Sequence, residues 1–322
     1  MNTLCEFFKA KRFWSINDGR RTDLPTSCDT WEKIESRMPD FTDLNSVKLI
    51  DNSPAPQHKD YGITPEFKVP RHFGSNGDIQ VKICQWMRDV SMNCFVGNKS
   101  MRCISLLQTM GIPCDGGTFW DRMIGRGEGD TPIVICEFTT IINYIMIKSA
   151  TPTEKEFFAK RRLPMNVGYI KGYRPAQLNN HLTWKALYLA TSAVVMKNKE
   201  LLEHAYFLYN TACEQIDYDG SMPLELARGN KSCSYTLMNL EALVHLRNIF
   251  GVDTPIVKVA LDNFNRCLCD HDNWKKQYKL GNQIHPNDMP SSWGWVNMFD
   301  KPVQFSVTEN AYVSFFSEYW KA

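Results

Sequence analysis

Residues 177–205, QLNNHLTWKALYLATSAVVMKNKELLEHA, decide the fold. Apolar residues recur in this stretch at spacings of three and four, which places them along one stripe of an α-helix: Leu182, Ala186, Leu189 and Ala193. The pattern predicts a long helix over 176–196, and a second predicted helix over 199–216 follows at once. A connection this short favours antiparallel neighbours, so the stretch predicts one helix pair of an all-α array.

Helical patterns also occur on both sides of this pair. We predict helices over residues 30–37, 78–90, 99–110, 153–160, 234–250, 256–269 and 307–320, and the apolar stretch 133–147 is long enough to favour a helix over a strand. Thr153 and Glu156 have the spacing of a capping box, and Gly251 is placed to end the helix that precedes it. The glycine-rich stretch 116–129 is predicted to be a loop. Strongly alternating patterns are scarce, so the predicted fold class is all-α.

The first 75 residues differ in composition from the rest of the chain. They contain six prolines separated by short polar stretches, which predicts loops and one or two short helices. Residues 1–75 are therefore expected to form an irregular N-terminal segment that packs on a helical domain of residues 76–322. The sequence contains no exact internal repeat.

Composition and charge limit the classes of function. Hydrophobic residues make up 43% of the 322 residues and charged residues 22%, as in ordinary soluble globular proteins. The formal net charge is +2, so no whole-chain field favours nucleic acid or an anionic membrane. The longest apolar stretch, 133–147, is too short to span a bilayer and carries Glu137, so no membrane insertion is expected. Residues 1–18 do not have the pattern of a secretory signal.

The eleven cysteines are irregularly spaced and include no CxxC pair. This pattern favours free, buried thiols in a reducing compartment over a disulfide framework. Cys267, Cys269 and His271 could suggest a metal site, but a lone CxC with one histidine lacks a partner pair, and we interpret these as ordinary helix-end residues. The sequence also lacks HExxH, GxSxG and dinucleotide-binding motifs. No metal or cofactor is expected.

Polar residues stand out at the ends of two predicted helices. Asn179, Asn180 and His181 open the long helix, and Arg228 precedes Tyr235 by seven residues where the chain enters a later helix. Taken singly, such residues are more typical of capping, solvated charge and half-buried packing than of catalysis. If a bend lies between Arg228 and Tyr235, however, the two side chains could converge at one helix end.

Together, these residues carry a resemblance to a known family. The stretches 177–205 and 215–244 resemble the core of the alginate lyases of polysaccharide lyase family 5, which pair an NNHxxW helix with a later LPxEL-type turn, a basic segment and a tyrosine. In this chain the turn is Met222-Pro223-Leu224-Glu225-Leu226, the basic segment begins at Arg228, and the tyrosine is Tyr235. Residues 97–102 resemble the family's GKSMR segment, and residues 293–295 resemble a late aromatic element. The resemblance implies an incomplete α/α toroid of antiparallel helix pairs.

The resemblance also implies an activity. The family cleaves uronic-acid polymers, such as mannuronate-rich alginate or a related polyuronate, by β-elimination and leaves an unsaturated non-reducing end. Asn180, His181 and Arg228 match the residues that neutralise the substrate carboxylate. Tyr235 matches the tyrosine that protonates the leaving glycosidic oxygen, and for mannuronate the same tyrosine can first act as the base. For an epimer with the two groups on opposite faces, His181 becomes the natural base, and the sequence leaves both assignments open.

An anionic polysaccharide calls for cations and stacking aromatic rings along a groove. The candidates in matching segments, together with one amide, are Asn179, Trp184, Lys99, Arg102, Trp86 and Trp293. For each of them, core packing or an ordinary surface charge is the competing interpretation. We expect the polysaccharide as the partner, no nucleic acid, and a monomer. The family is mainly periplasmic or secreted, whereas the cysteine content and the lack of a signal pattern favour the cytoplasm.

Two other functions remain open from the sequence. A non-catalytic α/α toroid could bind an anionic glycan or a protein partner, but such a protein has no need of the phenol of Tyr235. Glycoside hydrolysis would need two opposed carboxylates, and Glu225 has no evident partner in the sequence. The sequence therefore predicts a carbon–oxygen lyase that acts on polysaccharides, with the non-catalytic toroid as the alternative.

Overall fold

The computed structural model describes part of the chain. The described residues are 29–38, 113–114, 117–118, the helical positions 136, 140, 143–144 and 146–148, and the ranges 150–161, 163–172 and 178–283. The helices predicted over 78–90, 99–110 and 307–320 lie outside these ranges. Within the described ranges, no helix is both long enough and apolar enough to cross a membrane.

The described part of the chain is helical apart from one pair of two-residue strands. Strand β1 (Pro113–Cys114) pairs antiparallel with β2 (Gly117–Thr118). The helices, in chain order, are α1 (Trp31–Ser36), α2 (Pro152–Arg161), α3 (Leu163–Gly172), α4 (Asn180–Met196), α5 (Lys199–Cys213), α6 (Pro223–Leu226), α7 (Ser232–Phe250), α8 (Pro255–Cys269) and α9 (His271–Gln277). A 3₁₀ turn, Gly229–Lys231, lies between α6 and α7.

The described residues divide into two compact units. The first unit contains residues 29–37, 178–190 and 199–283, and therefore helices α1, α5 to α9 and most of α4. The second unit contains residue 38, the described positions from 113 to 172, and residues 191–198. In the second unit, Asn143 donates hydrogen bonds to the hydroxyls of Thr191 and Ser192, both at 3.0 Å. A division of the chain into residues 1–75 and 76–322 stays a prediction.

Helix α7 organises the core of the first unit, where it contacts α1, α5, α6 and α8. Its fully buried leucines are Leu237, Leu240, Leu243 and Leu246. Burial of each such side chain contributes roughly 2 kcal/mol to folding. The helix ends at Gly251, whose φ of 60° is left-handed and whose N–H donates to the Asn248 carbonyl at 3.1 Å. The stop that the sequence predicts at this glycine is confirmed.

The helices predicted over 176–196, 199–216, 234–250 and 256–269 are present as α4, α5, α7 and α8. Helix α4 begins later than predicted because Asn179 caps it, accepting a hydrogen bond from the backbone N–H of His181 at 3.1 Å. Helix α7 begins two residues earlier than predicted, at Ser232. The stretch 133–147 is helical at each of its described positions.

Two local predictions are corrected by the structure. The capping box before α2 consists of Thr151 and Glu154 rather than Thr153 and Glu156, since the Glu154 carboxylate accepts from the Thr151 N–H at 2.7 Å and the Thr151 hydroxyl accepts from the Glu154 N–H at 3.3 Å. Pro152 follows the cap because the first helical position has no use for an N–H. The predicted loop 116–129 contains strand β2, and helices α3 and α9 were not predicted.

Candidate active site

The connection from α6 into α7 forms the base of the candidate site. Pro223 opens α6, and the chain then bends at Gly229, whose φ is 64°. The hydroxyl of Ser232, the first residue of α7, donates to the carbonyls of Leu226 and Gly229, each at 2.8 Å. These bonds fix the path of the segment that carries Arg228 and lead it directly into the helix that carries Tyr235.

The side chains of Arg228 and Tyr235 meet across this bend. The Cζ atom of Arg228 lies 4.0 Å from the centroid of the Tyr235 ring, which is the geometry of a cation–π contact. Both residues are half-buried, so the pair is accessible from solvent. The convergence that a bend between them would allow is therefore present, with the bend at Gly229.

The first turn of α4 reaches the same region through Glu225. The backbone N–H of Asn180 donates to Oε1 of Glu225 at 2.6 Å, and Asn239 on α7 donates its amide to the same oxygen at 3.1 Å. Asn180 also donates from Nδ2 to the sulfur of Met238 at 3.3 Å. These contacts hold the start of α4, the short helix α6 and the first half of α7 together around one carboxylate.

Glu225 is fully buried, and its burial has an electrostatic consequence. Loss of hydration raises the pKa of this carboxyl to about 7, against the opposing effects of the Asn180 N–H, the charge of Arg228 and the Asn239 amide. Among the described residues, Oε2 of Glu225 and Oδ1 of Asn180 have no hydrogen-bond partner. A carboxyl with no exposed surface binds neighbouring protein groups rather than a glycosidic oxygen, which argues against a hydrolase role for Glu225.

The other residues predicted near the start of α4 fall into two environments. His181 is half-buried, directly after Asn180. Asn179 is buried and serves as the helix cap. Trp184 is 3% exposed, and its indole N–H donates to the Met238 carbonyl at 3.0 Å, so the ring packs against α7. The roles predicted for Asn179 and Trp184 in substrate binding stay predictions.

Four further substrate-binding candidates lie outside the described residues: Trp86, Lys99, Arg102 and Trp293. Their predicted contacts with substrate stay predictions.

Sequence reasoning missed one member of the polar cluster, Asn239. Its Oδ1 accepts a hydrogen bond from the Thr183 hydroxyl at 2.6 Å while its Nδ2 donates to Glu225, so it connects α4 to α6. The available signal was an amide at a core-facing position of an otherwise apolar helix, because a buried amide requires polar partners.

A separate group of potential metal ligands lies where α7 begins and α8 ends. Donor atoms of Cys233, Cys267 and His271 all lie within 4.8 Å of one another. Cys269, which the CxC pattern pairs with Cys267, is exposed and is not part of the group. The sequence-based interpretation of Cys267 and His271 as ordinary helix-end residues therefore overlooked a third donor that lies 34 residues away in the chain.

Comparison with known proteins identifies relatives of the central region. The model of the alginate lyase family matches residues 92–253, half of the chain. An alginate lyase of Pseudomonas syringae pv. tomato is 36% identical over 80 residues, and one of Pseudomonas syringae pv. syringae is 31% identical over 80 residues. Each match covers 24% of this chain and 21% of the relative, so the chain matches about a fifth of the length of these curated proteins.

Solved structures match over nearly the whole chain. Alginate lyase A1-III from Sphingomonas species A1 has a TM-score of 0.57 at 15% identity, covering 95% of this chain and 92% of that one. A histidine-to-alanine variant of that enzyme in complex with a tetrasaccharide has a TM-score of 0.58 at 16% identity, covering 86% and 88%. These likenesses establish the predicted fold, the α/α toroid of these lyases. Because the family model matches half of this chain, the chain belongs to the alginate lyase family.

Proposed function

We propose that this protein is a polysaccharide lyase that cleaves a uronic-acid polymer, foremost mannuronate-rich alginate, by β-elimination. Family membership and the alginate lyase fold support the reaction class. The observation that carries the proposal is the contact between Arg228 and Tyr235, at 4.0 Å, on the segment that Glu225 ties to Asn180. This arrangement offers a cation, a phenol and an amide with an adjacent imidazole within one unit of the fold.

The chemistry requires a positive environment before any proton moves. Removal of the C5 proton next to a carboxylate builds a dianion, so the carboxylate charge must first be offset. We assign this task to Arg228, Asn180 and His181. Arg228 is half-buried and supplies a fixed planar set of donors, which suits a carboxylate. Asn180 and His181 lie in the first turn of α4, where the helix dipole adds a partial positive charge.

Tyr235 is assigned the proton transfers. Its ring carries the Arg228 guanidinium on one face, so a cation lies beside the side chain during both proton transfers. In mannuronate the C5 proton and the leaving oxygen share one face of the sugar. To act as the base the side chain must be the phenolate, which takes the C5 proton; the phenol so formed then delivers that proton to the leaving oxygen.

His181 offers a second base for the C5 epimer, guluronate, in which the two groups lie on opposite faces. His181 is half-buried, directly after Asn180 in the first turn of α4. We propose that Tyr235 alone acts on mannuronate, and that cleavage of guluronate requires His181 as well. The non-catalytic alternative gains no support from the site, because binding of a polyanion needs Arg228 but not a phenol beside it.

The experiment is a substrate panel with the purified full chain and no added metal. Polymannuronate, polyguluronate and a glucuronan are each incubated with the protein, and the ultraviolet absorbance of the unsaturated uronate product is followed. The proposal expects the absorbance to rise fastest with polymannuronate. No rise with any polyuronate, despite binding of one of them, would replace the lyase with the glycan-binding alternative. Light scattering on the same preparation tests the expected monomer.

His181→Ala separates the two assignments of the base. The variant should retain more of its activity on polymannuronate than on polyguluronate, relative to the unchanged protein. Equal losses on both polymers would mean that His181 acts only on the shared carboxylate and is not the base for guluronate.

A further inference from the structure

Three soft donor atoms converge where α7 begins and α8 ends. The Sγ atoms of Cys233 and Cys267 are 3.5 Å apart, and Sγ of Cys267 is 3.4 Å from Nδ1 of His271. Cys233 lies in the first turn of α7, Cys267 in the last turn of α8, and His271 opens α9. The convergence therefore depends on tertiary packing and is independent of the proposed lyase chemistry.

We propose that Cys233, Cys267 and His271 bind a divalent cation with a preference for tetrahedral sulfur and nitrogen ligands, with Zn²⁺ as the best fit. Around such an ion, Zn–S bonds of about 2.3 Å and Zn–N bonds of about 2.0 Å place two sulfurs about 3.8 Å apart and a sulfur and a nitrogen about 3.5 Å apart. Two of the three observed separations, 3.5 Å and 3.4 Å, lie within a few tenths of an ångström of that geometry, and the third, between Cys233 and His271, is within 4.8 Å.

The surroundings orient the donors. The His271 imidazole stacks on Trp274 with an angle of 14° between the rings, and Asp270 caps α9 by accepting from the Asn273 N–H at 3.2 Å. At the other end, the Cys233 N–H donates to Oε1 of Gln283 at 3.2 Å. Donors whose positions are already fixed by stacking and hydrogen bonds lose less entropy when an ion binds.

The charge balance of the site suits a dication. Both sulfurs are fully buried, and the neighbouring thiol together with burial raises the pKa of Cys267. Binding of the cation forms two metal–thiolate bonds and one metal–imidazole bond, and it releases two thiol protons to solvent. Two thiolates neutralise the dication. No fourth His, Cys, Asp or Glu donor joins them among the described residues, which leaves one position of the tetrahedron for water.

The position of the site indicates a structural role. Cys233 and Tyr235 are two residues apart on α7, which places their side chains roughly 200° apart around the helix. The ion would thus lie on the face opposite the phenol and join the start of α7 to the end of α8. A bound ion adds its binding free energy to the stability of the folded state.

The test uses the reduced full chain after removal of metal with a chelator. Co²⁺ serves as the probe, since tetrahedral thiolate coordination gives intense visible bands and a thiolate-to-metal charge-transfer band. We expect one equivalent of Co²⁺ to bind with these bands, Zn²⁺ to displace it, and the affinity to fall as pH decreases because two protons must leave. Absence of saturable binding, or a weak octahedral spectrum, would overturn the proposal, as would a Cys233–Cys267 disulfide formed under the same reducing conditions.

Three variants locate the ligands. Cys267→Ser and His271→Asn should each lower the affinity for Zn²⁺ by more than about 10-fold. Cys269→Ser is the matched control, since this exposed thiol lies two residues from Cys267 and outside the group, and it should bind as the unchanged protein does. Zn²⁺ should raise the Tm of the control but not of Cys267→Ser. Equal Zn²⁺ affinities in the unchanged protein and the three variants would overturn the assignment. Circular dichroism verifies that each variant is folded.

Discussion

Oε1 of Glu225 accepts a hydrogen bond of 2.6 Å from the backbone N–H of Asn180, 45 residues earlier in the chain. A second bond, from the amide of Asn239, reaches the same oxygen at 3.1 Å. The buried carboxylate thereby connects the start of α4 with α6 and α7, and it sets where Asn180 and His181 lie relative to the segment that carries Arg228. Glu225 acts through these residues, and we regard it as a positioning residue.

Glu225→Gln should change the pH dependence of stability. The folded protein raises the pKa of this carboxyl from 4.5 to about 7, so the folded state binds more protons than the unfolded state between these values. Stability from this group is fully present below pH 4.5 and is lost as pH rises to about 7, by about 3 kcal/mol in total. Glutamine keeps the acceptor oxygen and does not titrate, so the variant should lack this loss.

Urea unfolding of both proteins between pH 4 and pH 8 checks this expectation. The difference in free energy of unfolding between variant and unchanged protein isolates Glu225, because other groups titrate in both, including His245, whose pKa burial lowers to about 3. A difference that stays constant across this range would mean that Glu225 is not held in the protonated form.

Arg228→Met should reduce kcat/KM for polymannuronate by about 100-fold to 1,000-fold, the usual cost of one donor aimed at developing charge. Arg228→Lys should recover only part of this loss, since an ammonium lacks the planar fork and the stacking on Tyr235. Loss of the cation–π contact between these two half-buried side chains should change the free energy of unfolding by about 1 kcal/mol.

Lys231→Met is the control for Arg228, because it removes an exposed cation three residues away. The two variants should have the same net charge and differ widely in kcat/KM. Comparable losses in both would indicate general attraction of the polyanion rather than a specific role for the guanidinium.

Gly220→Ala should destabilise the fold more than Gly229→Ala. Both glycines have left-handed φ values, 80° and 64°, which cost an alanine about 1–2 kcal/mol. A Cβ at Gly220 would also lie 2.3 Å from the Val259 carbonyl oxygen, whereas nothing lies within 4 Å at Gly229. Overpacking adds about 1–3 kcal/mol at Gly220. Thermal and urea unfolding measure the difference, and equal costs would show that φ alone matters.

Thr151→Ala should cost about 1 kcal/mol of stability because it removes the hydroxyl half of the capping box before α2. Thr153→Ala, two residues later and already inside the helix, is the matched control and should have little effect. Chemical denaturation of the two variants compares them. If Thr153→Ala were the less stable variant, the capping box would instead be Thr153 and Glu156, as the sequence spacing suggested.

The elements that the sequence predicts well are those with local physical causes. The spacing of apolar residues defines α4, and Gly251 ends α7 because its left-handed conformation favours glycine. The α/α toroid itself followed from a resemblance carried by a few motifs. Helix α9 was missed because only seven residues form it, which is too few to show an apolar periodicity.

The candidate site was predictable in part. The spacing of Arg228 and Tyr235 allowed their contact, but whether they meet depends on a bend at Gly229 that spacing alone does not determine. The role of Asn239 and the approach of Cys233 to Cys267 arise from packing between helices distant in sequence. Contacts of this kind cannot be predicted from a local pattern in the sequence.

The phenol of Tyr235 is the group on which the proposed reaction depends most directly, and Tyr235→Phe tests it. Phenylalanine keeps the ring beneath Arg228 and removes only the proton-transfer group. Tyr218→Phe, at a fully exposed tyrosine outside the site, is the control. With polymannuronate, initial rates of absorbance from unsaturated product should fall by more than about 100-fold for Tyr235→Phe and remain unchanged for Tyr218→Phe. Near-full activity of a folded Tyr235→Phe would contradict the assignment of the phenol as base and acid.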